Sequence, residues 1–247
     1  MSRRRWRWPE GRWRRHSMSP DAGELVAVVP VRGLPAGKRR LAALLDVDER
    51  NGLVRAMLDD VVAALVAAGS IDRVMIASRD AAARDEAGRL GVDFLDQTEL
   101  KLGYNRAVEF AQDALAGSEA ILIVPADVPL ITPDAVDLMT STAPDGPAVV
   151  VAPAHDGGTN GLFLRPTKVI RPQFGPSSAR AHQQSAASAG EAGGPFREAR
   201  IDVWAFDLDT PADLRWLQET LPQLPEGIAP NTRRWLAARE ARTGAPI

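Results

Sequence analysis

The feature that constrains this chain most is a regular alternation of short apolar runs with longer segments of helical period. ELVAVVPV at 24–31, RVMIAS at 73–78, AILIV at 120–124 and AVVVA at 148–152 are strand-sized and rich in β-branched residues. Apolar runs of that length, bounded by Gly, Pro or Asp, read as strands buried on both faces. Between the first two lies a stretch with Leu53, Met57, Val61, Leu65 and Ala68 at helical spacing. The pattern predicts strands at 24–31, 73–78, 92–96, 120–124, 148–152 and 201–206. It predicts helices at 49–68, 80–90, 104–116 and 132–141, the last capped by Thr132, and another starting at Thr210-Pro211. Alternation of this kind gives a single α/β domain with a mostly parallel central sheet and helices on both faces. In such sheets ligands gather at the carboxyl ends of the strands.

Three regions fall outside the alternation. Residues 156–185, with GGTNG and FGPSS, read as a long irregular functional segment, and 186–194 as a mobile loop. Residues 222–247 read as a polar C-terminal extension with one short helix near 232–242. Residues 1–22 carry seven arginines and three tryptophans within the first fifteen positions. They have no apolar core of a secretory signal and read as a disordered basic tail, with Met18 an alternative start. The domain itself is thus expected over 23–221.

Charge and composition narrow the function. Beyond residue 17 acidic side chains outnumber basic ones, which argues against nucleic acid as the main partner. No apolar run approaches the ~20 residues that span a bilayer, so no membrane partner is expected. The chain has no cysteine. That excludes disulfides, zinc-thiolate sites and cysteine nucleophiles, and it is in keeping with the cytoplasm as location. A homo-oligomer stays open.

The chemistry-bearing residues follow the strands. After the first comes Arg32-Gly33-Leu34-Pro35-Ala36-Gly37-Lys38-Arg39-Arg40, a glycine-containing turn with basic residues that suits an anionic triphosphate. It is neither GxxxxGK[ST] nor GxGxxG, and an ordinary exposed loop would look similar. Asp127 directly follows the central strand. Asp207 and Asp209 form a D-x-D, and alternate residues of an extended chain share a side. Carboxylates facing together need a cation, and oxygen ligands without His or Cys point to magnesium or manganese. Alternatively Asp209 caps the helix at Pro211 and Asp207 is solvated. Thr159 and Asn160 lie in a glycine-flanked turn, Gly175 and Ser178 in FGPSS. Ser178 is expected to cap a helical turn and present N–H groups to a phosphate or carboxylate, with Arg180 and His182 nearby as charge partners.

Taken in order, VVPVRGLPAGKRRLA, LGYNRAV, PADVPLIT, GGTNGLFLRP, FGPSSARAH and FDLDTPADL resemble the 2-phospho-L-lactate or phosphoenolpyruvate guanylyltransferases of coenzyme F420 biosynthesis, over about residues 25–217. Two departures are Arg32, where many relatives carry lysine, and PADVP in place of G-D-L-P. The resemblance implies a Rossmann-like, glycosyltransferase-A-like nucleotidyltransferase domain. It also implies transfer of GMP from GTP to a small phosphorylated three-carbon acid, phosphoenolpyruvate being favoured over 2-phospho-L-lactate or 3-phosphoglycerate. Arg32, Gly33, Lys38 and Asn105 then match nucleotide-binding positions, with Lys38 and Asp127 catalytic. Asp127, Asp207 and Asp209 match positions that hold Mg2+, and Thr159, Gly175 and Ser178 match positions that bind the acceptor acid. The rivals are another nucleotidyltransferase, such as a molybdopterin guanylyltransferase, a sugar-transferring enzyme, or a tail-driven RNA- or membrane-binding protein.

Overall fold

The computed structural model describes residues 23–32, 37–99 and 103–244. The Arg/Trp-rich tail and Gly33 lie outside the described residues. The strands are β1 (Leu25–Pro30), β2 (Arg73–Ser78), β3 (Asp93–Asp96), β4 (Ala120–Ile123), β5 (Ala148–Pro153), β6 (Thr159–Arg165) and β7 (Phe196–Glu198). They form one sheet in the order β3-β2-β1-β4-β6-β5-β7. β6 runs antiparallel to both its neighbours, β4 and β5, and every other adjacent pair is parallel. β1 and β4 sit side by side at the centre and are almost wholly buried. Burial on both faces is why they read as continuous apolar runs rather than alternating ones.

Among the described residues the helices are α1 (Val47–Ala67), α2 (Ala81–Leu90), α3 (Tyr104–Ala114), α4 (Pro133–Ser141), α5 (Ser178–Ser188), α6 (Pro211–Thr220) and α7 (Pro230–Thr243). One face of the sheet packs on α1, α2, α4, α6 and α7, the other on α3 and α5. Local chemistry fixes several starts. Asp46 and Glu49 form a reciprocal capping box on α1, Thr132 caps α4 ahead of Pro133, and Thr210 with Asp213 boxes α6.

Three expectations are corrected. Residues 201–206 are not a strand. They contain a short 3-10 turn at Asp202–Trp204, and the position beside β5 is taken by β7. Trp204 is fully buried and donates its indole N–H to the Ala135 carbonyl at 3.1 Å, which anchors the turn. The region 156–185 is not irregular throughout, since it holds β6 and the start of α5. Glycine disguised that strand: a Cβ at Gly161 would stand 2.8 Å from Met139 Sδ and 2.9 Å from the Trp204 ring. The expected loop at 186–194 is the last turn of α5 followed by a 3-10 turn at Gly190–Gly193.

The C-terminal segment is built into the fold through α7. Asp60 on α1 is buried and accepts hydrogen bonds from the backbone N–H of Asn231 at 2.8 Å and of Thr232 at 2.9 Å. It thereby serves as a tertiary cap for two N–H groups that an isolated helix leaves unpaired. Glu49 adds ion pairs to Arg239 at 3.2 Å and Arg242 at 2.9 Å. Asp60→Ala strands buried donors and should cost about 1–3 kcal/mol. Urea unfolding measures it, and an unchanged midpoint would contradict the cap's role.

Candidate active site

The parallel strands end at one edge, and the candidate residues collect there. Arg32 follows β1 by two positions and Asp127 follows β4 by four. Because β6 is reversed, its first residues, Thr159 and Asn160, reach that same edge. A cavity of about 400 Å³ opens there, lined by Arg32, Lys38, Arg39, Arg40, Tyr104, Asp127 and Asp209, with Val54 and Met57 as an apolar wall.

Lys38 sits at its centre. The residue is left-handed, with φ of 53°, where a non-glycine side chain is uncommon. Its ammonium lies 2.5 Å from an Asp127 oxygen and 2.6 Å from an Asp209 oxygen. Burial alone would lower its pKa, but the two carboxylates outweigh it and hold the group above the usual lysine value. Arg40 approaches Asp209 more loosely, at 3.8 Å. A backbone bond sets the geometry: Leu208 N–H donates to the Asp127 carbonyl at 3.0 Å, strapping the D-x-D segment to the loop after β4.

Asp209 is not the cap of α6. Thr210 and Asp213 do that work, so the Asp209 side chain is left for Lys38. Asp207 turns instead to the Asn160 amide at 3.3 Å. Its burial, followed by the Asp127 charge and then by Asp209 and Asp156, raises its pKa to about 6, with Asn160 partly offsetting. Among the described residues no group of three or more His, Asp or Glu side chains is arranged to hold a metal ion. Two of the three expected carboxylates meet, and the cation between them is a lysine.

The acceptor candidates form a second cluster. Ser178 and Thr159 are both buried, and Ser178 Oγ lies 2.9 Å from Thr159 Oγ1. The expected cap at Ser178 is corrected: Ser177 holds the cap position with φ of 55°, and Ser178 is the first residue of α5. Gly175, with φ of 141°, accepts from the Ser178 N–H at 3.1 Å, and a Cβ built on it meets nothing within 4 Å. His182 is fully buried and bonded to Thr159 Oγ1 at 3.2 Å, not free as a charge partner. Burial pushes its pKa down to about 4.

Asn105 does not line the cavity. Its amide donates to the Phe174 carbonyl at 3.0 Å and accepts the Phe174 N–H at 2.7 Å, stapling α3 to the FGPSS segment. The neighbouring Tyr104, which sequence reasoning passed over, lines the cavity instead. Its ring lies under the Arg32 guanidinium at 5.3 Å and edge-on to Phe174 at 4.9 Å. Its hydroxyl is buried without a hydrogen-bond partner. Burial and the Asp127 charge keep that phenol protonated. The only sequence signal was its place just after Gly103 at a helix start.

A family model described as "Guanylyl transferase CofC like" matches residues 25–216. The chain belongs to this guanylyl transferase family. Among the relatives of this guanylyl transferase is the phosphoenolpyruvate guanylyltransferase of Sphaerobacter thermophilus, 41% identical over 199 residues, covering 80% of this chain and 94% of the relative. The 2-phospho-L-lactate guanylyltransferase of Methanothermobacter thermautotrophicus is 39% identical over 142 residues, covering 57% of this chain and 62% of that protein. In fold it is similar to a nucleotidyl transferase of the same genus, with TM-score 0.59, 17% identity, and coverage of 81% of this chain and 99% of that one. The sheet and this likeness make the fold a nucleotidyltransferase, glycosyltransferase-A-like domain.

Asp207 should register in a pH titration of the protein held with a chelator. Its folded pKa of about 6 exceeds the ordinary 3.8. This group therefore favours the folded state at low pH, and the advantage drains away as pH rises from about 4 to about 6. Asp207→Asn cannot ionise. Its melting temperature should gain on the wild type's across that window, and parallel curves would show that Asp207 titrates normally.

Proposed function

We propose that this guanylyl transferase moves GMP from GTP to phosphoenolpyruvate, forming enolpyruvyl-diphosphoguanosine and pyrophosphate in coenzyme F420 biosynthesis. The observation that carries the reading is the cavity of Arg32, Lys38, Arg39 and Arg40 set against Asp127 and Asp209, in a chain of this family. A cleft lined by four cationic side chains and two carboxylates suits bringing two anions together. The relative named for phosphoenolpyruvate covers more of this chain, at slightly higher identity, than the one named for 2-phospho-L-lactate. That favours the former acid, and the latter is the alternative.

A phosphate monoester is already ionised near neutral pH, so its oxygen needs no general base to attack the α-phosphorus of GTP. The main barrier is repulsion between the two substrates, and positioning plus electrostatics must lower it. Lys38 and the adjacent arginines are placed to offset charge on the triphosphate and on the departing pyrophosphate. Thr159, Ser178 and the Gly175 backbone form the group we assign to the acceptor.

Mg2+ is proposed as cofactor, held by Asp127, Asp207 and Asp209. The donor chemistry fits: these are oxygen-only ligands, and Asp207 is driven up in pKa first by burial and then by the charges of Asp127 and Asp209. Lys38 would have to leave its place between Asp127 and Asp209 for the ion to take it. When bound, the ion supplies charge neutralisation between the two phosphates. Among the described residues no helix is long and apolar enough to cross a membrane, and with no cysteine in the chain the cytoplasm is the proposed location.

Incubating the protein with GTP, Mg2+ and each acid while following pyrophosphate tests the reading. Release with phosphoenolpyruvate is expected, and release with neither acid would overturn it. Asp127→Ala should lower kcat by ~100-fold or more, and chelation should abolish turnover. An Asp127→Ala enzyme that keeps wild-type kcat would remove this residue from the chemistry.

A further inference from the structure

The hydrogen bonds around Thr159 admit one proton count, and it gives His182 a role that the function above does not assign. The Gln173 backbone N–H points at His182 Nε2 at 2.9 Å. A backbone amide can only donate, so Nε2 is unprotonated. A neutral imidazole then carries its hydrogen on Nδ1, which faces Thr159 Oγ1 at 3.2 Å. The ring is fully buried and edge-on to Phe174 at 5.2 Å, so it is fixed in orientation.

Thr159 Oγ1 thus accepts from the histidine. Thr159 and Ser178 own two hydroxyl hydrogens between them, and their mutual bond at 2.9 Å uses one. One hydrogen remains unspent. With the other tautomer, Nδ1 would accept the Thr159 hydrogen, Ser178 would donate to Thr159, and none would remain. A backbone amide fourteen residues beyond Thr159 therefore decides whether this pair can donate at all.

We infer that His182 is a positioning residue: its Nδ1–H saturates Thr159 from behind, so that the Thr159–Ser178 pair keeps one hydroxyl hydrogen for an anionic oxygen of the acceptor acid. The inference rests on the proposed function and deepens it at the acceptor end. The placement supports it, because Thr159 is followed directly by Asn160, whose amide holds Asp207 beside the carboxylate pair. An acid held by Thr159 lies one residue from that group.

Two replacements separate the ring's two jobs. The His182→Gln carbonyl can still accept from Gln173 but offers no donor at the Nδ1 position. His182→Asn keeps an N–H there and gives up the Gln173 bond. His182→Gln should raise the KM for phosphoenolpyruvate about tenfold or more while the KM for GTP moves less than about twofold. His182→Asn should stay nearer the wild type for the acceptor. A purely structural histidine would move both KM values together, or neither, and either result overturns the inference. Nitrogen-15 long-range NMR on the unaltered protein gives a second reading, since the chain has three histidines to assign. A proton found on Nε2 of His182 overturns the inference even if both variants fail to fold. If the wild type transfers to neither acid, the proposed function falls and this inference with it. If the wild type transfers and His182→Gln matches it in acceptor KM, this inference alone falls.

Discussion

Two carboxylates held face to face repel, and the architecture of this site depends on how that repulsion is met. Asp127 and Asp209 arrive from segments far apart in the chain, and the backbone bond from Leu208 to Asp127 leaves them little room to part. Lys38 answers with an ammonium that touches both. Its backbone is left-handed at that point. The cost of that conformation is tolerable only because the two ion pairs over-determine it. A cleft prepared in this way is already polarised before any substrate enters.

Around that pair, the helix starts divide the labour. Thr210 and Asp213 satisfy the first N–H groups of α6, which leaves Asp209 free for the cavity. Asp60 serves α7 from another helix, so the C-terminal segment is fixed to α1. Asn105 spends its whole amide on Phe174 and so ties the start of α3 to the FGPSS segment. None of these side chains needs to touch a substrate to matter. Each frees a neighbour or fixes a segment in place.

The sequence carried the fold where burial was two-sided. RVMIAS matches β2 residue for residue, and the Thr132 and Thr210-Pro211 signals mark α4 and α6 because capping is local chemistry. It misled where tertiary packing overrode local pattern. Residues 201–206 look like a strand, but Trp204 is drawn into the core and turns the chain. β6 hid behind Gly161, a glycine demanded by Met139 and Trp204 from elsewhere in the chain. In the site, Asp127 and the D-x-D stood out as acidic residues after strands, and Lys38 as the base of a turn. Nothing in the linear order reveals that Lys38 lies between two of the three, that Asn105 faces a backbone rather than the cleft, or that His182 accepts from Gln173. Those facts are properties of approach distances, which exist only after folding.

The lone reversed strand has a mechanical consequence. β6 is laddered on both sides, to β4 and to β5, and its register shifts just where Thr159 meets Pro153. Such an irregularity re-aims a side chain and increases the local twist. Thr159 turns toward α5 while Asn160 turns toward the Trp204–Asp207 segment. Consecutive residues of one strand thus hold the His182–Ser178 cluster on one side and Asp207 on the other. The offset between the Thr159–Ser178 pair and Asp207 is therefore set by the backbone ladder of β6 and not by a loop.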